Sequence, residues 1–187
     1  MDVELVIRAQ QGDQQAFASI ARSIAIRLRK MAYGVLRDMD LAEESAQQAI
    51  VTIWRELPRL RDPRRFDAWC YRVLARVCYA ERRRIRKHEA TSLDGVSRLP
   101  SASDISHGVL LRDQLERGFA RLSLEHRAVV VLHHQFGLPL DEVAEALDIP
   151  TGTVKSRLHR AMGQLRASLE ADLRHPSPVP ASNEAVR

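Results

Sequence analysis

Apolar residues recur about every three to four positions along most of the chain, and sustained alternation is nearly absent, so the pattern predicts helices rather than strands. A first short helix covers about Val3 to Gln10 and stops at Gly12. Asp13 then caps a long helix with Phe17, Ile20, Ile24, Leu28, Met31 and Val35 on one stripe. In "DMDLAEESAQQAIVTIWRELP", Asp40 and Glu43 have capping-box spacing, and Leu41, Ala46, Ala49, Ile50, Ile53, Trp54 and Leu57 form the stripe. After the turn "RDPRR", a fourth helix runs from about Asp67 to Lys87.

The pattern then lapses. "EATSLDGVSRLPSASDISHG" is rich in Ser, Gly, Pro and Asp and has no period, which reads as a flexible linker over residues 89–109. A second helical unit, residues 110–174, begins with Leu115, Phe119 and Leu122 on one stripe. A helix capped by Ser123 and closed by Gly137 follows, and the last residues, 175–187, read as a disordered tail. The expected fold is all-α: an N-terminal helical bundle over residues 1–88, and a C-terminal unit ending in a helix-turn-helix.

That motif is the most informative stretch. "LPLDEVAEALDIP" predicts a short helix from about Leu140 to Leu147, with Val143, Ala144 and Leu147 facing inward. A tight turn leads to "IPTGTVKSRLHRAMGQLR", started by Pro150 or Thr151, with Val154, Leu158, Ala161, Met162 and Leu165 on the core side. Ser156, His159, Arg160 and Gly163 lie opposite, flanked by Thr153, Lys155 and Arg166. The stretch also carries Arg157 and no acid, so its outer face presents donors and small groups to a polyanion. An αα-hairpin within a bundle would give the same helices, but does not explain the missing acids.

Charge extends the picture. The 187 residues hold 29 Lys plus Arg against 24 Asp plus Glu, and the pI near 9.8 suits an anionic partner. All of the excess lies in residues 1–90, which carry 18 basic and 12 acidic residues. Arg82, Arg83 and Arg86 belong to the run "RRRIRKH", and upstream Trp69, Tyr71 and Tyr79 alternate with Arg72 and Arg76. Rings beside cations suit single-stranded nucleic acid, bases stacking while the cations hold the backbone. Each ring alone reads as core; the combination brings the two readings level. The third helix's other face, Glu44, Gln47, Gln48, Val51 and Thr52, reads on composition as solvated.

Several classes are disfavoured. No stretch approaches the roughly 20 apolar residues of a membrane span, so a cytoplasmic protein is expected. Cys70 and Cys78, on one helix, would sit ~12 Å apart, too far to bridge, and read as small buried hydrophobes. Adjacent His133 and His134 diverge by about 100° on a helix and cannot chelate like an i, i+4 pair. With no phosphate loop, nucleophile elbow or metal-spaced cysteines, no enzyme, metal or cofactor is expected.

Four stretches together resemble the extracytoplasmic-function group of bacterial sigma factors: "LVIRAQQGDQQAFASI", "LAEESAQQAIVTIWRELPRL", "FDAWCYRVLARVCYAERRR" and "RLSLEHRAVVVLHHQFGLPLDEVAEALDIPTGTVKSRLHRAMGQLR". They occur in the group's order and span nearly the whole chain. The resemblance implies that Glu43, Glu44, Gln47, Gln48 and Thr52 dock on the clamp coiled coil of core RNA polymerase, reversing the composition reading. It implies that the helix from Trp69 to Arg86 melts and captures the minus-ten promoter element. The basic helix would enter the major groove at the minus-thirty-five element through Lys155, Ser156, His159 and Arg160, with a backbone contact from Arg127. The group's docking motif usually has an acid and then a Phe where this chain has Gln48 and Ile50, and its melting helix often has Asn and Asp at Arg76 and Ala80. Anti-sigma factors are usual partners in the group, and nothing in these residues identifies one. The chief alternative, a stand-alone helix-turn-helix regulator of duplex DNA, leaves the N-terminal motifs unexplained.

Overall fold

A computed structural model describes the backbone of residues 1–91 and 107–174, and side-chain surroundings for residues 1–87 and 114–171. The described residues form eight α-helices and no strand: α1 Val3–Gln10, α2 Gln14–Leu36, α3 Met39–Glu56, α4 Phe66–Thr91, α5 His107–Arg121, α6 Leu124–Val130, α7 Leu140–Leu147 and α8 Thr151–Arg174. Helices α4 and α5 each reach a few residues into the expected linker. The rest of that linker, 92–106, and the tail, 175–187, lie outside the described residues.

The N-terminal helices begin where short polar side chains satisfy free N–H groups. Asp2 accepts from Glu4 N at 3.0 Å, and Asp13 from Ala16 N at 2.9 Å. The capping box expected at Asp40 is not formed: Asp38 caps α3, accepting from Leu41 N at 3.0 Å. Arg37, in the left-handed region at φ 61°, ends α2 and turns the chain so that α3 starts at Met39. Glu43 is thereby freed to accept from Gln47 at 3.1 Å.

Helices α1 to α4 enclose Val6, Ile20, Ile24, Leu28, Met31, Ile53, Leu57, Phe66, Val73 and Leu74, all essentially inaccessible to water. Gln10 donates to the carbonyls of Leu57 and Leu60 at 3.1 and 2.8 Å, tying α1 to the turn before α4. Three residues expected on buried stripes lie at their edges instead: Trp54, Leu115 and Met162 are 37%, 39% and 40% exposed. Trp54 leans on Phe17, ring centroids 4.5 Å apart, and keeps its other side in solvent.

In the C-terminal half, Ser123 caps α6, which widens over Val131–Gln135 into one π-helical turn. Phe136 N reaches back to Val131 O at 3.1 Å, and Gly137, at φ +68°, reverses the chain. His133 Nδ1 closes this turn on Leu138 O at 2.8 Å.

The two halves share one continuous buried cluster. The π-helical turn lies against α2 at Gly34, and α7 packs along α4. Tyr71 meets Phe136 at 5.3 Å between ring centroids, and Arg37 forms an ion pair with Glu116.

Candidate nucleic-acid interface

The turn between α7 and α8 is built from backbone bonds. Asp148, left-handed at φ 54°, donates its N–H to Glu145 O at 3.3 Å, while Ile149 N reaches Ala144 O at 3.0 Å. This Schellman pair ends α7 without glycine, since aspartate tolerates the left-handed region. Pro150 O accepts from Thr153 N and Val154 N at 2.8 and 3.1 Å, so Pro150 occupies the cap position and α8 starts at Thr151. Val143, Ala144, Ala146 and Leu147 of α7 and Val154, Ala161 and Leu165 of α8 are buried in the shared core.

That packing aims the other side of α8 outward. Thr151, Gly152, Lys155, Ser156, His159 and Arg160 are exposed, and Thr153 is half-buried. Ser156 donates to Thr153 O at 3.0 Å, leaving its oxygen able to accept from outside. His126 contacts Gln164 at 3.0 Å and pins α6 to α8 behind this face.

Arg157 and Arg127 sit elsewhere. Arg157 is half-buried beside the apolar stripe, near Tyr79 and Glu125. Arg127 is only 8% exposed, and its Nε has no partner. Burial first, then the neighbouring charges of Arg37 and Arg82, pulls its guanidinium down to about 10.

Helix α4 gathers Trp69, Arg72, Arg76, Tyr79, Arg83 and Arg86 along one side, with Arg82 displaced around the helix. Arg76, Arg83 and Arg86 are exposed, although Arg76 pairs with Glu56 at 2.7 Å. Trp69 is half-buried, 6.0 Å from the Phe66 ring. Arg72 is engaged by α7: its Nε donates to Glu145 O at 2.9 Å and its Nη2 lies 2.6 Å from Glu145 Oε1. Tyr79 is covered, its hydroxyl buried without a partner, and burial pushes it up to about 12. Just before α4, Arg59, Arg64 and Arg65 are exposed in two short 3-10 turns, with Arg61 exposed between them. Sequence reading passed over them as a turn, although four arginines in seven residues were the available signal.

On α3, Glu44, Gln47, Gln48 and Val51 are exposed, while Glu43 and Thr52 are half-buried. Ile50 and Gln47, with Ala25, Ile26 and Arg29 of α2, line a shallow depression beside this face. No helix among the described residues is long and apolar enough to cross a membrane.

Comparison with known proteins fits this layout. Residues 20–88 match the family model of Sigma-70 region 2 and residues 112–165 that of Sigma-70, region 4. The two regions in that order define a sigma factor. The ECF RNA polymerase sigma factor SigW of Bacillus subtilis is 30% identical over 177 residues, covering 87% of this chain and 93% of its own. SigL of Mycobacterium tuberculosis, also an ECF sigma factor, is 31% identical over 166 residues, covering 85% of this chain and 94% of its own. The structure of CnrH, solved with the cytosolic domain of CnrY, superposes with a TM-score of 0.65 at 25% identity, over 91% of this chain and 98% of that one. RpoE of Bartonella quintana, solved with the anti-sigma factor NepR, shares the fold at a TM-score of 0.70 and 24% identity, over 83% of this chain and 98% of that one. The chain belongs to the extracytoplasmic-function group of RNA polymerase sigma factors. It is therefore a DNA-binding transcription initiation factor that directs promoter recognition by RNA polymerase, a role that is not enzymatic.

Proposed function

We propose that the acid-free outer face of α8 reads the minus-thirty-five element. Lys155, Ser156, His159 and Arg160, exposed together on one side of a helix whose other side is core, are the observation that carries this reading. Thr153 borders the same face, and Arg157 and Arg127 join it as backbone contacts if the surfaces beside them part. Trp69, Arg72, Arg76, Tyr79, Arg82, Arg83 and Arg86 of α4 capture the opened minus-ten strand. Unstacking costs a few kcal/mol per step, which requires extruded bases to be held on the protein. Glu43, Glu44, Gln47, Gln48 and Thr52 of α3 meet the polymerase clamp coiled coil. Residues 1–88 and 110–174 act as the two functional units, in the cytoplasm where polymerase works. An anti-sigma factor is a further partner by analogy with RpoE, which was solved with one.

The test uses holoenzyme reconstituted with Arg160→Ala or Lys155→Ala. Loss of a phosphate contact lowers the slope of log affinity against log salt by about one, whereas loss of a base contact relaxes one promoter position by ~1–3 kcal/mol. Unchanged affinity, salt slope and sequence preference in both variants would refute the assignment.

A further inference from the structure

Five buried side-chain polar atoms have no hydrogen-bond partner among the described residues, and three of them are neighbours: Arg37 Nε, Tyr79 Oη and Arg127 Nε. They come from different elements, Arg37 from the end of α2, Tyr79 from α4 and Arg127 from α6. Arg127 feels the charges of Arg37, Arg82 and Glu125, and Tyr79 those of Arg157 and Glu125. Helices α2, α4, α6 and α8 thus each bring an arginine to one junction.

The charges at that junction do not cancel. Four arginines meet two glutamates there, Glu116, which pairs with Arg37, and Glu125. Glu125 is held below its ordinary 4.5 first by its own N–H, against the opposing effect of burial, then by Ser123, and only after these by Arg157 and Arg86. Two positive charges are left over, before the exposed Arg86 is added. Arg127 is 8% exposed and the Arg37 side chain 11%. Burial, then Arg37 and Arg82, pull the Arg127 guanidinium down to about 10, so it still carries its charge at neutral pH. A buried cation with an unmade N–H bond beside like charges is costly unless another group supplies acceptors.

The unmet chemistry specifies that group. All three orphaned atoms can donate, and a guanidinium offers paired N–H groups that match the oxygens of a tetrahedral oxyanion. A dianion balances the two excess charges, which water does not. The junction is too well covered for a strand of nucleic acid, so the anion is small. Arg37 is fixed in advance, with its Cζ 4.9 Å from the Tyr33 ring centroid and its Nη2 on Glu116. Arg82 and Arg157 are half-buried, and their solvent-facing sides give a small ion its route in.

We propose that the junction of α2, α4, α6 and α8 is a binding site for inorganic phosphate, held by Arg37, Arg82 and Arg127 with the Tyr79 hydroxyl and bordered by Arg157. The site is separate from the outer face of α8 and from the exposed face of α3, and it needs neither DNA nor polymerase.

The experiment titrates inorganic phosphate into the full chain in chloride buffer, read by calorimetry and by the urea midpoint. One site should saturate with a Kd on the order of 1 mM. Arg127→Met and Arg82→Met should each weaken it at least about tenfold, since a charge-assisted contact is lost. Arg22→Met, which removes an exposed charge ~22 Å along α2 from Arg37, should leave the Kd unchanged. Without phosphate, Arg127→Met should be as stable as wild type or more so, because a buried charge without compensation is gone. If Arg127→Met does not fold, the half-buried Arg82→Met decides the matter alone. The midpoint should rise with phosphate and follow the calorimetric saturation. General exclusion of phosphate from protein surfaces raises the midpoint without saturating, and equally in every variant. That outcome overturns the site, as does wild-type phosphate affinity in Arg82→Met. Sulfate, of the same shape and charge, should bind within about tenfold of phosphate. Chloride binding as tightly as phosphate overturns the oxyanion chemistry.

Discussion

The packing of α2 against the π-helical turn makes a quantitative claim at Gly34. A Cβ there would stand 2.8 Å from Val131 Cγ2, and 3.2 Å from both Val131 Cγ1 and Gln135 Oε1. Val131 is buried and cannot move aside. Gly34→Ala should gain about 1 kcal/mol of helix propensity in α2 and lose about 1–3 kcal/mol to overlap. The net change runs from near neutral to about 2 kcal/mol destabilising. Val131→Ala alone removes two methyl groups, about 2 kcal/mol with the void. In the double variant the overlap with Val131 disappears, leaving only the flexible Gln135 end to shift, the new Cβ refills part of the void, and the helix gain remains. It should therefore be about 2 kcal/mol more stable than the two single changes summed. Urea denaturation at constant m-value measures each term. Additivity within about 0.5 kcal/mol would refute this packing.

Other expectations follow from individual side chains. Gln47→Ala combined with Glu44→Lys should reduce assembly with core polymerase while keeping helix content, since both residues are exposed; pull-down at wild-type yield would refute docking through α3. Burial raises the Cys70 thiol and pushes Cys78 up to about 12, so neither should react with a disulfide reagent at about pH 8 until the chain unfolds; rapid labelling of native protein would contradict that. Burial works to raise Asp67, but hydrogen bonds from the Met1 ammonium and Arg27 outweigh it and hold the carboxyl below its ordinary 3.8. Its contribution is present above that value and lost as pH falls through the lower folded-state value, so the stability gap between wild type and Asp67→Asn should shrink from about pH 6 to about pH 3. An unchanged gap in urea midpoints would remove Asp67 from the acid response.

Local chemistry determined much of this protein before any tertiary contact. The stripe from Ile20 to Val35, the caps at Asp13 and Ser123, and the span of α7 are set by residues within a few positions of one another. The same holds for the basic outer side of α8, because a helix fixes which residues share a face once its core side is known. Asp40 was misread as a cap because its spacing to Glu43 is local, whereas the helix start depends on the left-handed Arg37 before it. Burial of Arg127, the inward lean of Arg157 and the clasp of Glu145 on Arg65 and Arg72 join segments far apart in sequence. No periodicity carries such information, since an exposed-face arginine and an interface arginine look alike until a second surface arrives. That the α4 rings and arginines share one side of a helix was legible from their spacing; that the other half of the chain lies across Arg72 and Tyr79 was decided only by tertiary packing.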